Sequence, residues 1–227
     1  MDSLWATLAP LVIGSALVPI QIIVTIMLLR STAGRRTALA WVAGMTSVRL
    51  AQGILFGLVF SSDRALAEET GARPGPVLST LLLVLAVLFL VMAVRQLLVD
   101  IDPDAPPPRW MAMTETMAPT KAFLIGTGLM LVGVKFWVFT LSAVGAIGAA
   151  ELSRGASIVT FLVFVALTEI AHLVVLAVAF LAPGRAAARL EGASAWLSAR
   201  NRTIVIVLGV VFGVWFLAKA LRGFGIL

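Results

Sequence analysis

The 227-residue chain has no cysteine, a single histidine and few charges, with Asp, Glu, Lys and Arg together making 12% of it. Without cysteine there is no disulfide, no thiolate metal site and no thiol redox chemistry. One histidine excludes a metal centre built on two. Soluble domains carry about 25% charged residues and roughly 45–50% apolar ones. Here 61% of residues are hydrophobic and the mean hydropathy is +1.08, which excludes an ordinary soluble domain and a disordered chain. The net charge of +6 and pI near 11.3 do not signal a nucleic-acid partner. With so few charges, the arginines read as anchors at a membrane face.

Enzyme signatures are also lacking. There is no nucleophile elbow around a serine, no phosphate loop and no second histidine to pair with His172. The expectation is a protein that is not an enzyme and takes no cofactor. The N-terminus does not resemble a cleaved signal either. Asp2 is acidic, no Lys or Arg precedes Arg30, and the apolar run is too long, so it reads as a retained first helix.

What the chain has is apolar length. A helix crosses the bilayer core with about 20 apolar residues. Runs of that kind fall at 4–29, 37–60, 77–99, 121–150, 156–181 and 203–222. The breaks are short and basic at 31–36, polar and ending in Arg73-Pro74-Gly75-Pro76 at 61–76, and proline-rich at 100–120. They are tight at 151–155 and basic at 182–202. No run alternates polar and apolar residues, which excludes a β-barrel reading. Backbone groups in lipid must be satisfied within helices. The predicted fold is an all-α integral membrane bundle of six transmembrane helices in one membrane domain spanning residues 1–227.

Counting cations orients it. Arg30, Arg35, Arg36, Arg95, Arg109, Lys121, Arg185, Arg189, Arg200 and Arg202 fall on one side; Arg64, Arg73, Arg154, Lys219 and Arg222 fall on the other. The positive-inside rule places the first group in the cytoplasm and both termini outside.

The two halves are alike. Shifting helix two by 120 residues lays Trp41 on Phe161, Arg49 on Glu169 and Gln52 on His172. Shifting helix three by 124 lays Arg95 on Lys219, although Phe89 then meets Gly213. Three spans per half make the second half enter from the opposite face, so the repeat is inverted: about 1–99, a linker over 100–120, and about 121–227. Secondary transporters recurrently use inverted repeats with a site at the midplane between them.

The segments Ser15 to Gln21 (SALVPIQ), Leu28 to Gly44 (LLRSTAGRRTALAWVAG) and Ala122 to Val144 (AFLIGTGLMLVGVKFWVFTLSAV) carry a family resemblance. The chain resembles the GAP family, the sulfolipid- and glycopeptidolipid-addressing membrane proteins of the LysE transporter superfamily. The resemblance implies six helices and export or placement of a lipid or small metabolite across the inner membrane. Similar proteins often carry an Asn-Pro-Lys-type break in helix four. Here Gly133-Val134-Lys135-Phe136 keeps only the lysine, and whether helix four breaks stays open.

Charges deep in a span cost roughly 2.5–3.5 kcal/mol each and face partners or water. Arg49, Lys135 and Glu169 qualify, with Gln52 and His172 three residues beyond Arg49 and Glu169 on the same helix faces. One reading is a structural lock in which Glu169 neutralises Arg49. The other is a substrate site, because two cations meet one carboxylate and the surplus favours an anionic group. Pro19 breaks the hydrogen-bonding of helix one mid-span and, with Gln21, joins the candidate site. Glu169-x-x-His172 has di-metal spacing, but no further carboxylate lies inside a span, so no metal is expected. Asp100, Asp102 and Asp104 open like a calcium loop, yet Ala105 and Met111 stand where that loop needs Gly and Glu. Gly53-x-x-x-Gly57 and Gly209-x-x-x-Gly213 suit close helix contact, within the chain or in a homo-oligomer. The 185–202 segment reads as a short cytoplasmic helix lying against anionic lipid.

The reading that results is a multi-pass inner-membrane secondary transporter or exporter of an anionic or amphipathic lipid-like substrate or small metabolite. Its alternative is an accessory protein of a lipid-export machine that moves nothing itself. Membrane lipids are partners under both.

Overall fold

The computed structural model describes residues 2–31, 33–70, 75–98, 109–181 and 183–226. Among them there are ten helices and no strand: α1 (Asp2–Ala16), α2 (Pro19–Leu29), α3 (Gly34–Thr70), α4 (Gly75–Leu98), α5 (Arg109–Glu115), α6 (Pro119–Val132), α7 (Val134–Ala149), α8 (Arg154–Thr168), α9 (Ile170–Leu181) and α10 (Pro183–Gly223). Three helices hold stretches long and apolar enough to cross a membrane: Gly34–Leu58, Ser79–Leu98 and Leu190–Gly223. Three further pairs meet that test only together, because each is bent at a short break. The bend is 51° between α1 and α2, 71° between α6 and α7, and 61° between α8 and α9. Counting each bent pair once gives up to six spans, which overlap the six apolar runs, the last of them starting at Leu190 and not at 203.

Each break has a local cause. Pro19 opens α2 at its first position, where its missing N–H is no loss, and the chain turns at Leu17–Val18. The expected break of span one at Pro19 is present, with the proline starting the second helix after a two-residue interruption. Gly133 ends α6, and a side chain there would meet the Phe136 ring at 2.5 Å and the Leu129 carbonyl oxygen at 2.8 Å. Helix four is thus broken without an Asn-Pro pair. Glu169 sits at the third break as the cap of α8 (φ −92°, ψ 0°).

Two sets of contacts mark opposite ends of the bundle. At one, Arg35 donates to the Ala179 carbonyl oxygen at 3.0 Å and lies over the Phe180 ring. Arg30 pairs with Glu191 at 3.5 Å, Thr37 donates to the Met117 carbonyl oxygen, and Arg202 caps the last turn of α4 through the Gln96 carbonyl oxygen. At the other, Lys219 donates to Thr7 at 2.6 Å, and Trp5 and Leu152 join one apolar cluster. Arg30 and Thr7 lie at the two ends of span one, and Glu191 and Lys219 on α10 meet them in reverse order. Span one and α10 therefore run antiparallel.

Three boundaries differ from the sequence reading. Ser61–Thr70 continues α3 as helix and is not loop. The linker contains α5, which leans on α2, with Met117 buried beside Leu28 and Trp41. The 185–202 segment is no separate interfacial helix but the first half of the 41-residue α10. At 1.5 Å per residue that helix is about 60 Å long, twice the hydrocarbon thickness. Its N-terminal half is held by Leu190, which is buried against Ile22, Ile26 and Val175. Asp100, Asp102 and Asp104 lie outside the described residues.

Close backbone contact fixes the helix pairs. A side chain at Gly126 would stand 2.6 Å from the Trp41 carbonyl oxygen, so α6 lies directly on α3. One at Gly209 would stand 2.8 Å from the Phe89 carbonyl oxygen, so α10 lies directly on α4. The Gly209/Gly213 motif is thus used within the chain. Gly53 lies under the Phe161 ring, and Gly57 faces open space.

Candidate functional site

The apolar core is divided, and the polar residues occupy the gap. One cluster gathers Leu4, Leu8, Leu11, Phe89, Phe139, Phe164, Val165 and Phe216, with Phe89 meeting Phe139 edge-on at 5.5 Å. Another gathers Ile22, Ile26, Val175 and Ala179. Along span one, Ser15 to Thr25 bridge the two clusters. Along span five, Glu169 and His172 do the same. Charge and amide groups therefore lie near mid-span on both, sealed by hydrocarbon above and below.

Arg49 reaches this gap from the unbroken α3. It is 3% exposed, and its Nε lies 3.5 Å from Glu169 Oε1 while its Nη1 donates to Ser15 Oγ at 2.8 Å. Ser15 is in the last turn of α1, just before the break at Leu17–Val18. Glu169 is the break between α8 and α9. One guanidinium thus joins two interrupted spans. A carboxylate in hydrocarbon needs such a partner, and Arg is suited to the role because its fork of donors addresses two oxygens at once.

A second link lies ten residues further along span one. Thr25 Oγ1 donates to the Gln21 carbonyl oxygen at 2.9 Å and lies 2.9 Å from His172 Nδ1. The threonine hydroxyl has one hydrogen, and Gln21 takes it. With the hydroxyl hydrogen assigned to Gln21, the one shared with His172 is assigned to Nδ1, which leaves Nε2 as an acceptor. Thr25 was not singled out in the sequence; its spacing of four from Gln21 inside an apolar run is the signal that could have found it.

Several polar atoms of the gap are buried without a hydrogen-bond partner: Gln21 Nε2, both amide atoms of Gln52, Glu169 Oε2 and, on α7, Ser142 Oγ. Buried polar groups are normally satisfied, and an unsatisfied one costs about 1–3 kcal/mol. The gap therefore has donors and acceptors to offer to a polar guest.

The structure brings together Arg49, Glu169 and Ser15 directly, and Gln21 and His172 through Thr25. Gln52 is buried one turn from Arg49, and Pro19 is buried at the α2 start. Lys135 does not join the pair. It occupies the first turn of α7, half-buried, with its Nζ 4.9 Å from the Phe136 ring. Among the described residues it forms no ion pair, so the expected three-charge cluster is a two-charge pair with a separate cation. Sequence position placed Lys135 mid-run, but the bend at Gly133 sends the first turn of α7 in its own direction. Among the described residues no group of three metal-ligating side chains gathers.

Two apolar clefts open on the bundle's flank, away from this gap. One, of about 450 Å³, is lined by Ala40, Pro119, Thr120, Phe123 and Leu124. The other, of about 330 Å³, is lined by Trp196, Arg200, Thr203, Ile204, Val207 and Leu208. Exposed Leu124, Val207 and their neighbours are what a lipid-facing surface requires.

Comparison with curated proteins and with solved structures found no match. A family model described as Sap, sulfolipid-1-addressing protein, matches residues 8–222, which takes in every bent and unbroken span and both residues of the Arg49–Glu169 pair. An apolar helical chain matched over nearly its whole length is a membrane protein involved in lipid addressing, and it belongs to the sulfolipid-1-addressing protein family.

Proposed function

We propose that the chain is a secondary transporter or exporter that moves an anionic or amphipathic lipid-like substrate, or a small metabolite of that character, across the inner membrane. The observation that carries this reading is the meeting of two interrupted spans at Arg49. Discontinuous helices around a buried polar site near the midplane are a recurrent way to build a transport pathway. The unsatisfied amides of Gln21 and Gln52 beside them favour a polar guest over a sealed lock.

An inverted repeat of two three-span halves is part of the same proposal. Residues related by a two-fold axis touch each other only near that axis. Arg49 and Glu169 are equivalent under the 120-residue shift, and they touch. The contacts in its favour are α1 on α8, α6 and α7 on α3, and α4 on α10. The orientation proposed is both termini outside, with the Arg30, Arg35 and Arg202 end in the cytoplasm.

Substrate charge is argued from the balance of ions. Arg49 and Glu169 cancel, and Lys135 supplies the positive surplus beside the Gly133 break. An anionic head group answers that surplus, and the apolar clefts on the flank suit acyl chains. The proposal is of a carrier with neither catalysis nor cofactor.

The accessory reading has one observation in its favour. The Arg49–Glu169 pair is buried and matched, as a structural lock would be. Lys135→Met separates the two. The carrier reading expects a stable protein that no longer exports. The accessory reading expects a stable protein with unchanged export. Lipid export in cells, measured beside thermal stability of the purified protein, decides between them.

A further inference from the structure

We propose that Glu169 is a proton-binding site whose protonation frees Arg49 to hold the anionic group of the substrate, so that a proton and an anion bind together. This rests on the carrier reading above and deepens it.

The argument is the charge balance of a closed space. Arg49 and Glu169 are 3% and 4% exposed, and each is the other's counter-ion at 3.5 Å. An arginine side chain stays charged. Four states are conceivable. With Glu169 ionised and no anion bound, the pair is neutral. With Glu169 protonated and an anion at Arg49, the site is again neutral. Glu169 ionised with an anion held at Arg49 leaves that pair net negative in hydrocarbon, and Lys135, which forms no ion pair with either partner among the described residues, does not offset it. Glu169 protonated with no anion leaves Arg49 alone. Both unbalanced states carry a bare buried charge, which is costly. The two balanced states are therefore the ones occupied, and passing between them takes up one proton with one anion.

The surroundings suit the exchange. Glu169 Oε2 has no hydrogen-bond partner and is the oxygen available for a proton. Ser15 holds the far side of the guanidinium, so Arg49 keeps its place when Glu169 lets go. Glu169 stands at the 61° break, where releasing the pair removes the ionic tie between α3 and span five. Of the other groups that titrate or bear charge here, His172 follows Glu169 on α9 with Nδ1 held by Thr25. A proton on its Nε2 would add a second positive charge near Arg49, so the carboxylate is the better acceptor. Among the described residues Lys135 on α7 forms no ion pair with either partner.

The test uses the purified full chain in phosphatidylcholine nanodiscs. The probe is octyl sulfate, whose charge is the same at every pH used. Calorimetric titration in two buffers of different ionisation enthalpy counts protons taken up on binding. The wild type is expected to take up about one proton per anion, with affinity falling about ten-fold per pH unit wherever that uptake is one proton. Glu169→Gln is expected to bind octyl sulfate with no proton uptake and no such pH dependence. Binding by the wild type without proton uptake would overturn the linkage and leave the anion-carrier reading intact. No binding by the wild type at any pH would overturn both. The wild-type titration decides the proposal even where Glu169→Gln fails to fold.

Discussion

Arg49 Nε lies 3.5 Å from Glu169 Oε1, and the same guanidinium donates to Ser15, so one side chain on an unbroken helix ties together the breaks of two others. Removing one partner of a buried ion pair costs about 3–5 kcal/mol, whereas replacing both by apolar groups of similar size is often neutral. Glu169→Gln should therefore lower thermal stability in detergent sharply, and Arg49→Met with Glu169→Leu should restore most of it. A double variant no more stable than Glu169→Gln would show that the ion pair is not what stabilises this crossing.

Thr25→Val should remove the partner of His172 Nδ1 at a cost of about 1–3 kcal/mol, because the ring nitrogen is left buried and unpaired. Nitrogen NMR of the single histidine reads this directly. In the wild type the proton should sit on Nδ1. A wild-type spectrum with the proton on Nε2 would contradict the arrangement deduced from the Gln21 hydrogen bond.

Gly126→Val should separate α6 from α3, since a side chain there would meet the Trp41 carbonyl oxygen at 2.6 Å. Backbone cannot move aside as a flexible side chain can. A loss of about 1–3 kcal/mol is expected from overpacking. The same change at Gly57, which faces open space, should be tolerated. Equal losses at both positions, measured by thermal unfolding, would contradict this packing.

Topology is checked with single cysteines, since the chain has none. Glu151 and Glu191 are both exposed, at opposite ends of the bundle. A membrane-impermeant thiol reagent should label Glu151→Cys in intact cells and Glu191→Cys only after permeabilisation. The reverse pattern would invert the orientation.

Much of this was legible before the fold. Six apolar runs are legible because a bilayer demands length, and Arg49 and Glu169 because charge in such a run is rare. Their pairing was one of the two readings open in the sequence, since ions inside a span tend to pair. The break at Glu169 was not legible. Its flanks are as apolar as any helix interior, and a carboxylate gives no local stop signal. Gly133 was visible, but a glycine in an apolar helix breaks it only where the Phe136 ring comes to fill its place. The length of α10 was hidden for a different reason. Ala, Arg and Leu over 185–202 favour helix wherever they stand, and nothing in them tells a separate surface helix from a continuation. That Lys135 forms no ion pair with Glu169 among the described residues was not legible, because sequence depth in a span says nothing of direction once the span bends.

The central claim is that this chain itself moves an amphipathic anion past Arg49. The most direct test is purified protein in phosphatidylcholine proteoliposomes carrying a fluorescent phosphatidylglycerol, with movement between leaflets followed by quenching from outside. The wild type alone should speed that movement, and a folded Arg49→Met with Glu169→Leu variant should not. Wild-type protein that is folded and correctly inserted, yet leaves the lipid where it was, would contradict the claim.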